Sequence, residues 1–236
     1  MLSYKKQLIF LITGVIVFAV FFFSIYNEVR EKTIKELNNR QMVYARLAAT
    51  AMQAYFEHQR ETLDYLALND HIIRLTPQGK ALMKSIQEIP INNIEGVTRV
   101  GAKGVILFSS PEIPGTVGAD ISAQAHVREV LRTHKPVISD VFMAAQGFKA
   151  IAMHVPVYRG KVFDGTVAFL ISFDGLAKRY LKDIKVEESG YAWMINEQGT
   201  EIFCPIPGHI GRSVLDTCKD FPDILEMTDR KSTRLN

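Results

Sequence analysis

Residues 148–173 read FKAIAMHVPVYRGKVFDGTVAFLISF. Two apolar runs rich in β-branched and aromatic residues, Phe148 to Tyr158 and Phe163 to Phe173, flank the short polar turn Arg159-Gly160-Lys161, so they read as neighbouring antiparallel strands. A third strand-like run, Val137 to Met143, precedes them. Further upstream, Ile94 to Val100 and Val105 to Ser109 flank Gly101-Ala-Lys-Gly104, which predicts a hairpin. Between the hairpin and the three later strands lie a Pro/Gly-rich loop, Ser110 to Gly118, and a helical segment from about Ser122 to Thr133. Two strands, a helical excursion and three strands predict an α+β class: a five-stranded antiparallel sheet with helices packed on one side.

Ahead of the sheet, Glu28 to about Leu75 contains no Pro or Gly and predicts one long stalk helix. Leu37, Gln41, Tyr44, Ala48, Ala51, Tyr55, His58 and Thr62 recur at alternating steps of four and three, the period of a coiled-coil seam. The stripe is mixed in polarity, which leaves two readings open: packing on the following domain, or a homodimer seam as well. Thr76-Pro77 then places an N-cap and a first-turn proline at the head of a short helix to about Glu88. After the sheet, Asp174 predicts the N-cap of a helix through Ile184. Tyr191 to Asn196 and Thr200 to Cys204 predict a second hairpin around Gly199, followed by a helix near Val214 to Met227.

The chain has 236 residues, 47% hydrophobic and 22% charged, with 15 Gly and 9 Pro. That balance excludes a disordered or collagen-like chain. The mean hydropathy of +0.05 owes its excess to one place. From Gln7 to Asn27 no charged residue occurs, a stretch long enough to cross a bilayer as a helix. It is too long for a signal-peptide core, and no small-x-small cleavage pattern follows it. Lys5 and Lys6 on one side are matched by Arg30, Lys32, Lys35 and Arg40 on the other, so charge alone leaves the orientation open.

A net charge of +3 with scattered basic residues argues against nucleic acid as a partner. Cys204 and Cys218 could pair or stay free. Neither forms a CxxC or a recognised Cys/His spacing, so no metal site is expected. There is no GxSxG, P-loop or HExxH motif and no sign of a cofactor. A second sheet opening at Tyr191 would need three more strands, and none follows. The chain therefore reads as truncated, with Asp229 to Asn236 a polar stub that includes a cloning or assembly scar from Lys231.

A resemblance rests on an ordered set of short motifs: Gly118-x-Asp120-Ile-Ser122-x-x-x-His126-Val127, Pro136-Val-Ile-Ser-Asp-Val-Phe142, His154-Val-Pro-Val-Tyr158, Phe163-Asp-Gly165 and Asp174. In this order they resemble the distal module of a double Cache sensor domain, a PAS-like fold. Gly190 to Gly199 with Gly208 to Val214 resembles the start of the membrane-proximal module. The resemblance implies an extracytoplasmic domain of a bacterial histidine kinase, or alternatively of a diguanylate cyclase or chemoreceptor, anchored in the inner membrane with a cytoplasmic N-terminus. It implies these divisions: 1–27 cytoplasmic tip and anchor, 28–90 stalk and short helix, 91–184 distal module, 185–228 incomplete proximal module, 229–236 stub. A reading from another class is a membrane-tethered interaction protein that binds no small molecule.

Two departures from the family bear on the ligand. Gln124 stands where many members have Arg, and His126 where they have Tyr. Leu170 matches the acidic position that holds the ligand amine in amino-acid-binding members, so the expected small-molecule ligand is not a typical amino acid. The residues expected to bind it are Asp140, Ser139, Phe142, His126, Arg128, Lys149 and His154. Asp140 sits in an apolar run, where an unpaired carboxylate is costly. His126 and Arg128, two apart on a helix, cannot both face one pocket. Lys149 and His154, five apart on a strand, face opposite sides.

Overall fold

The computed structural model describes residues 2–89, 93–144, 148–181, 184–186, 190–196 and 199–222. The chain divides into two units, Met1–Leu47 and Ala48–Asn236. The first is the N-terminal part of helix α1 (Leu2–Ala67). It contains an 18-residue window of mean hydropathy 2.6 with nothing buried, and Phe10, Phe18, Phe21, Phe22 and Phe23 are all exposed. An uncharged helix with apolar side chains all round suits lipid rather than water. Its hydroxyl at Thr13 is satisfied internally, donating to the Ile9 carbonyl at 2.9 Å.

In the second unit, α1 buries Ala48, Met52, Tyr55, Gln59, Leu63 and Leu66. This stripe departs from the one expected at His58 and Thr62, because here the helix packs one face onto a sheet and keeps its own period near 3.6. The helix also ends earlier than Leu75. The Asn69 side chain accepts from the His71 N–H at 2.9 Å and caps a separate turn, α2 (Asp70–Ile73), and Leu75 adopts a left-handed φ of 52°. Helix α3 (Pro77–Gln87) starts as expected, with Thr76 accepting from the Gly79 N–H.

Strands β1 (Ile94–Val100) and β2 (Ile106–Ser110) form the expected hairpin. Gly104 closes it at φ +83°, against Ser122, where a side chain would be crowded. Helix α4 (Ala125–Thr133) leads to β3 (Val137–Ile138) and β4 (Phe142–Met143), which share one neighbour, β5 (Lys149–Arg159); β6 (Val162–Ser172) completes the sheet. The order is β2-β1-β6-β5-β3, with β4 also on β5. The five expected sheet positions are all present, the third predicted strand being interrupted over residues 139–141.

Both faces of this sheet are covered, not one. Met153, Val155, Val157, Val167, Phe169 and Ile171 share a core with Leu63, Leu66, Ile72, Met83 and Leu176. The alternate residues Ala150, Ala152 and Leu170 face the other way, towards Phe142 and Ala144. Helix α4 lies on this second side, with His126, Val127 and Val130 buried.

Helix α5 (Phe173–Leu181) is capped by Ser172, whose Oγ accepts from the Gly175 N–H at 3.1 Å; Asp174 lies within its first turn. Beyond it come two short pairs, β7 (Lys185–Val186) with β8 (Gly190–Tyr191), and β9 (Met194–Ile195) with β10 (Glu201–Phe203), then α6 (Val214–Thr217). Residues 223–227 of the expected last helix, and the stub 229–236, lie outside the described residues.

Arg99 fastens the β5–β6 hairpin to β1. Its side chain is fully buried. It donates to the Asp164 carboxylate at 2.8 Å and to the carbonyls of Val100 and Thr166 at 2.7 and 3.3 Å. Burial pulls the guanidinium below its ordinary value, and Asp164 opposes that shift. The same carboxylate also meets Arg159 at 3.2 Å, on the exposed side. Asp164→Ala, which strands a buried charge, lowers the unfolding free energy by about 3–5 kcal/mol. Arg159→Ala lowers it by no more than about 1 kcal/mol. Denaturant titration followed by Trp193 fluorescence measures both.

Candidate functional site

A cavity of about 420 Å³ opens between α4 and the interrupted edge strand, lined by Gln124, Ala125, His126, Glu129, Val137, Ile138, Ser139, Asp140 and Phe142. Behind it a smaller cavity of about 20 Å³ reaches the sheet, bounded by Thr98, Ile106, Ile121, Ala144, His154 and Leu170. Gln124, His126 and Phe142 line both and form the partition between them. On the sheet side, Thr98, Ile106, His154 and Leu170 form the floor of the inner cavity.

The partition is aromatic and tightly packed. The His126 ring lies 4.5 Å from Phe142 and 5.3 Å from His154, centroid to centroid. His154 is buried, and its Nδ1 is 3.0 Å from the Thr166 hydroxyl on the neighbouring strand. Burial pulls the His126 pKa down to about 4. Burial, with His126 beside it, pulls His154 down to about 3. Both imidazoles are therefore neutral at pH 7, each offering one donor and one acceptor nitrogen.

Of the residues expected at the site, Asp140, Ser139, Phe142 and His126 line the outer cavity and His154 the inner one. Asp140 is exposed at the mouth instead of being enclosed in an apolar strand, because the strand breaks at Ser139. The Ser139 hydroxyl accepts from the Ala152 N–H at 2.8 Å and donates to the Asp140 carbonyl at 2.7 Å, so it shapes the break. Arg128 and Lys149 line neither cavity. Arg128 is exposed, two residues past His126 and so about 200° round α4. Lys149 opposes Met143 at the start of β5 and alternates with the even-numbered residues that face the cavities.

Sequence reasoning missed Glu129, Thr98 and Ile121. Glu129 was accessible in principle, since it stands three residues after His126 on one helix face. Gln124 occupies the N-cap position of α4 but makes no capping hydrogen bond with its side chain. Among the described lining residues the carboxylates Glu129 and Asp140 are present and no Lys or Arg is.

Residues 77–172 match the family described as HK/GC/Chemotaxis protein-like, sensor domain. That segment runs from α3 to the end of β6 and contains every residue lining the two cavities. Solved structures give the same fold. The ligand-binding domain of the Pseudomonas aeruginosa PAO1 amino acid chemoreceptor PctC, in complex with GABA, is 20% identical with a TM-score of 0.57, over 73% of this chain and 77% of that one. The ligand-binding domain of Mlp24 with asparagine is 16% identical with a TM-score of 0.62, over 80% and 79%. An extracellular ligand binding receptor from Desulfohalobium retbaense DSM5692 is 20% identical with a TM-score of 0.60, over 73% of this chain and 32% of that one. Family match and fold together support an extracytoplasmic sensor domain on a chain that also carries a helix able to span a membrane.

The neutral histidine pair makes the sensor domain acid-sensitive. An unfolded histidine titrates near pH 6.5, whereas these two stay neutral in the folded domain to about 4 and about 3. Below pH 6.5 the unfolded chain therefore binds more protons, and stability falls as pH falls, by up to about 1.4 kcal/mol per pH unit for each histidine. Urea midpoints should drop between pH 7 and pH 5. In His154→Gln, which retains one of the two titrations, the dependence should be about half as steep.

Proposed function

We propose that this chain is the input part of a membrane-anchored signalling receptor, and that a small molecule binds in the paired cavities under α4. The supporting observation is the partition of Gln124, His126 and Phe142 with His154 behind it, which places an amide, an aromatic ring and two neutral imidazoles between an outer cavity with Glu129 and Asp140 at its mouth and a mainly apolar inner one. The N-terminus lies in the cytoplasm, Glu28 onward lies outside the inner membrane, and the intact protein is a sensor histidine kinase. Diguanylate cyclase and chemoreceptor outputs are the alternatives that the matched family's description equally accommodates. Residues 91–184 are the sensing module, residues 185–228 begin a second one, and α1 joins two copies as a homodimer through its exposed stalk.

The ligand is a neutral or cationic molecule with an apolar body, and not a typical amino acid. The described cavity walls offer no Arg or Lys to hold a carboxylate, and Leu170 closes the inner end, where an ammonium would need an acid. Glu129 and Asp140 at the mouth favour ligands that are positive or donate hydrogen bonds. A second reading, an amino acid ligand, takes its support from the solved domains of this fold, whose complexes hold GABA and asparagine. At 15–20% identity these carry the fold and leave the ligand to be tested.

A thermal-shift screen of the detergent-solubilised chain against amines, polyols, carboxylates and the common amino acids decides between the readings. Stabilisation by an amine or neutral compound at millimolar concentration is expected. It should fall at least about 10-fold in apparent affinity on His126→Ala and on Asp140→Asn, with Arg128→Ala unchanged. Stabilisation confined to amino acids establishes the second reading. No stabilisation by any class points to a tethered interaction protein.

A further inference from the structure

Away from the cavities, the segment after β9 folds three unlike donor groups onto one point. Glu201 on β10, Cys204 just after it and His209 on the following loop bring a carboxylate oxygen, a thiol sulfur and a ring nitrogen within 4.8 Å of one another. Glu201 is 1% exposed and Cys204 7%. The loop is clasped to Glu201 by backbone: the Gly211 N–H donates to the Glu201 carbonyl at 2.7 Å, and the Glu201 N–H to the Arg212 carbonyl at 2.8 Å. This doubling-back corrects the expectation of no metal site drawn from the lack of CxxC and Cys/His spacings: Glu201-x-x-Cys204-x-x-x-x-His209 converges only once residues 211 and 212 pair with Glu201.

A buried carboxylate needs a counter-charge, and among the described residues the Glu201 carboxylate has two neutral partners, the thiol of Cys204 and a hydroxyl, and one conditional one. The Thr217 hydroxyl donates to Oε1, and His209 Nδ1 lies 3.5 Å from Oε2. No Lys or Arg ion pair reaches it among the described residues. The carboxylate, the thiol and the imidazole are therefore gathered with no fixed cation beside them among the described residues. That arrangement is costly for a purely structural cluster and favourable around a metal.

We propose that Glu201, Cys204 and His209 bind a divalent zinc-class cation, with the fourth tetrahedral position open. One thiolate, one imidazole and one carboxylate are the donor types zinc takes, at about 2.0–2.3 Å each, so adjacent donors in a closed site stand roughly 3.3–3.8 Å apart. The observed spacing needs a contraction of about 1 Å, within the reach of side-chain rotation on the loop. Binding displaces the Cys204 proton to solvent and forms a sulfur–metal bond, with no change in oxidation state. Bound there, the metal cross-links β10 to the residue 205–211 loop.

Titration of the purified, reduced, chelator-stripped chain in detergent with Co²⁺, and competition by Zn²⁺ against a chromogenic chelator, tests this. One equivalent of Co²⁺ should give a thiolate-to-cobalt charge-transfer band and intense tetrahedral visible bands, both displaced by Zn²⁺. Cys204→Ser should abolish the charge-transfer band. His209→Ala, a half-buried loop position whose backbone ties to Ile206 and Arg212 need no side chain, should weaken binding by more than the roughly 10–100-fold that outer-sphere partners are worth. Retention of wild-type affinity in either variant, octahedral cobalt without thiolate ligation, or a stoichiometry near zero in the reduced chain overturns the proposal. So does recovery of the two thiols only as a Cys204–Cys218 disulfide that binds no metal after reduction.

Discussion

The antiparallel register between β5 and β6 is the constraint on which the rest of the sensor domain depends. From Ala150 opposite Ser172 to Val157 opposite Gly165 the pairing is unbroken, and it assigns every side chain on both strands to one of two faces. A slip of one residue in β5 would carry Met153 and Val155 to the cavity side and put His154 into the helical core. Gly165 guards the far end. At φ +107° it lies against the Val100 carbonyl so closely that no side chain fits, which lets β1 approach and brings Arg99 to Asp164.

Given that register, the chemistry of the two faces follows from composition. One face presents Met, Val, Phe and Ile and closes onto Leu63, Leu66 and Met83. The other presents the small residues Ala150, Ala152, Thr166 and Ala168 around a single histidine. His154 is tolerated there because Thr166, two residues along the partner strand from its cross-strand neighbour, supplies a hydroxyl to its ring.

This division explains what the sequence made legible. Alternation and turn chemistry read directly, which is why both hairpins of the sheet and the Thr76-Pro77 helix start were found within a residue or two. The end of the long helix was not, because Leu68 to Leu75 contains no Pro or Gly; the stop comes from Asn69 capping a new turn, a side-chain choice invisible to propensity. At the site, strand residues such as His154 follow from alternation. Asp140 and Ser139 do not, because the break in the edge strand depends on the Ser139 hydroxyl replacing regular pairing with bonds to Ala152 and Asp140. Arg128 illustrates the remaining difficulty: a helix of nine residues offers several faces, and only the packing of Val127 and Val130 says which one is inside.

The sheet is consequently a shared wall. Leu170 and His154 line the inner cavity, while Phe169, Val155 and Met153, their immediate chain neighbours, share a core with Leu63 and Leu66 of the same helix that carries the apolar N-terminal segment. A ligand that fitted equally well to two positions of that wall would move nothing, however tightly it bound. What can act on the helix is a difference: an occupant that prefers one placement of the His126–Phe142 partition changes how β5 and β6 sit against α1, since a close-packed core accommodates a displaced strand by repacking and not by compressing. Gly165 and the Arg99–Asp164 pair fix the other end of the hairpin. A shift driven at the cavity would therefore pivot about that end, and its largest displacement would fall where β5 begins, beside the broken edge strand that opens the site.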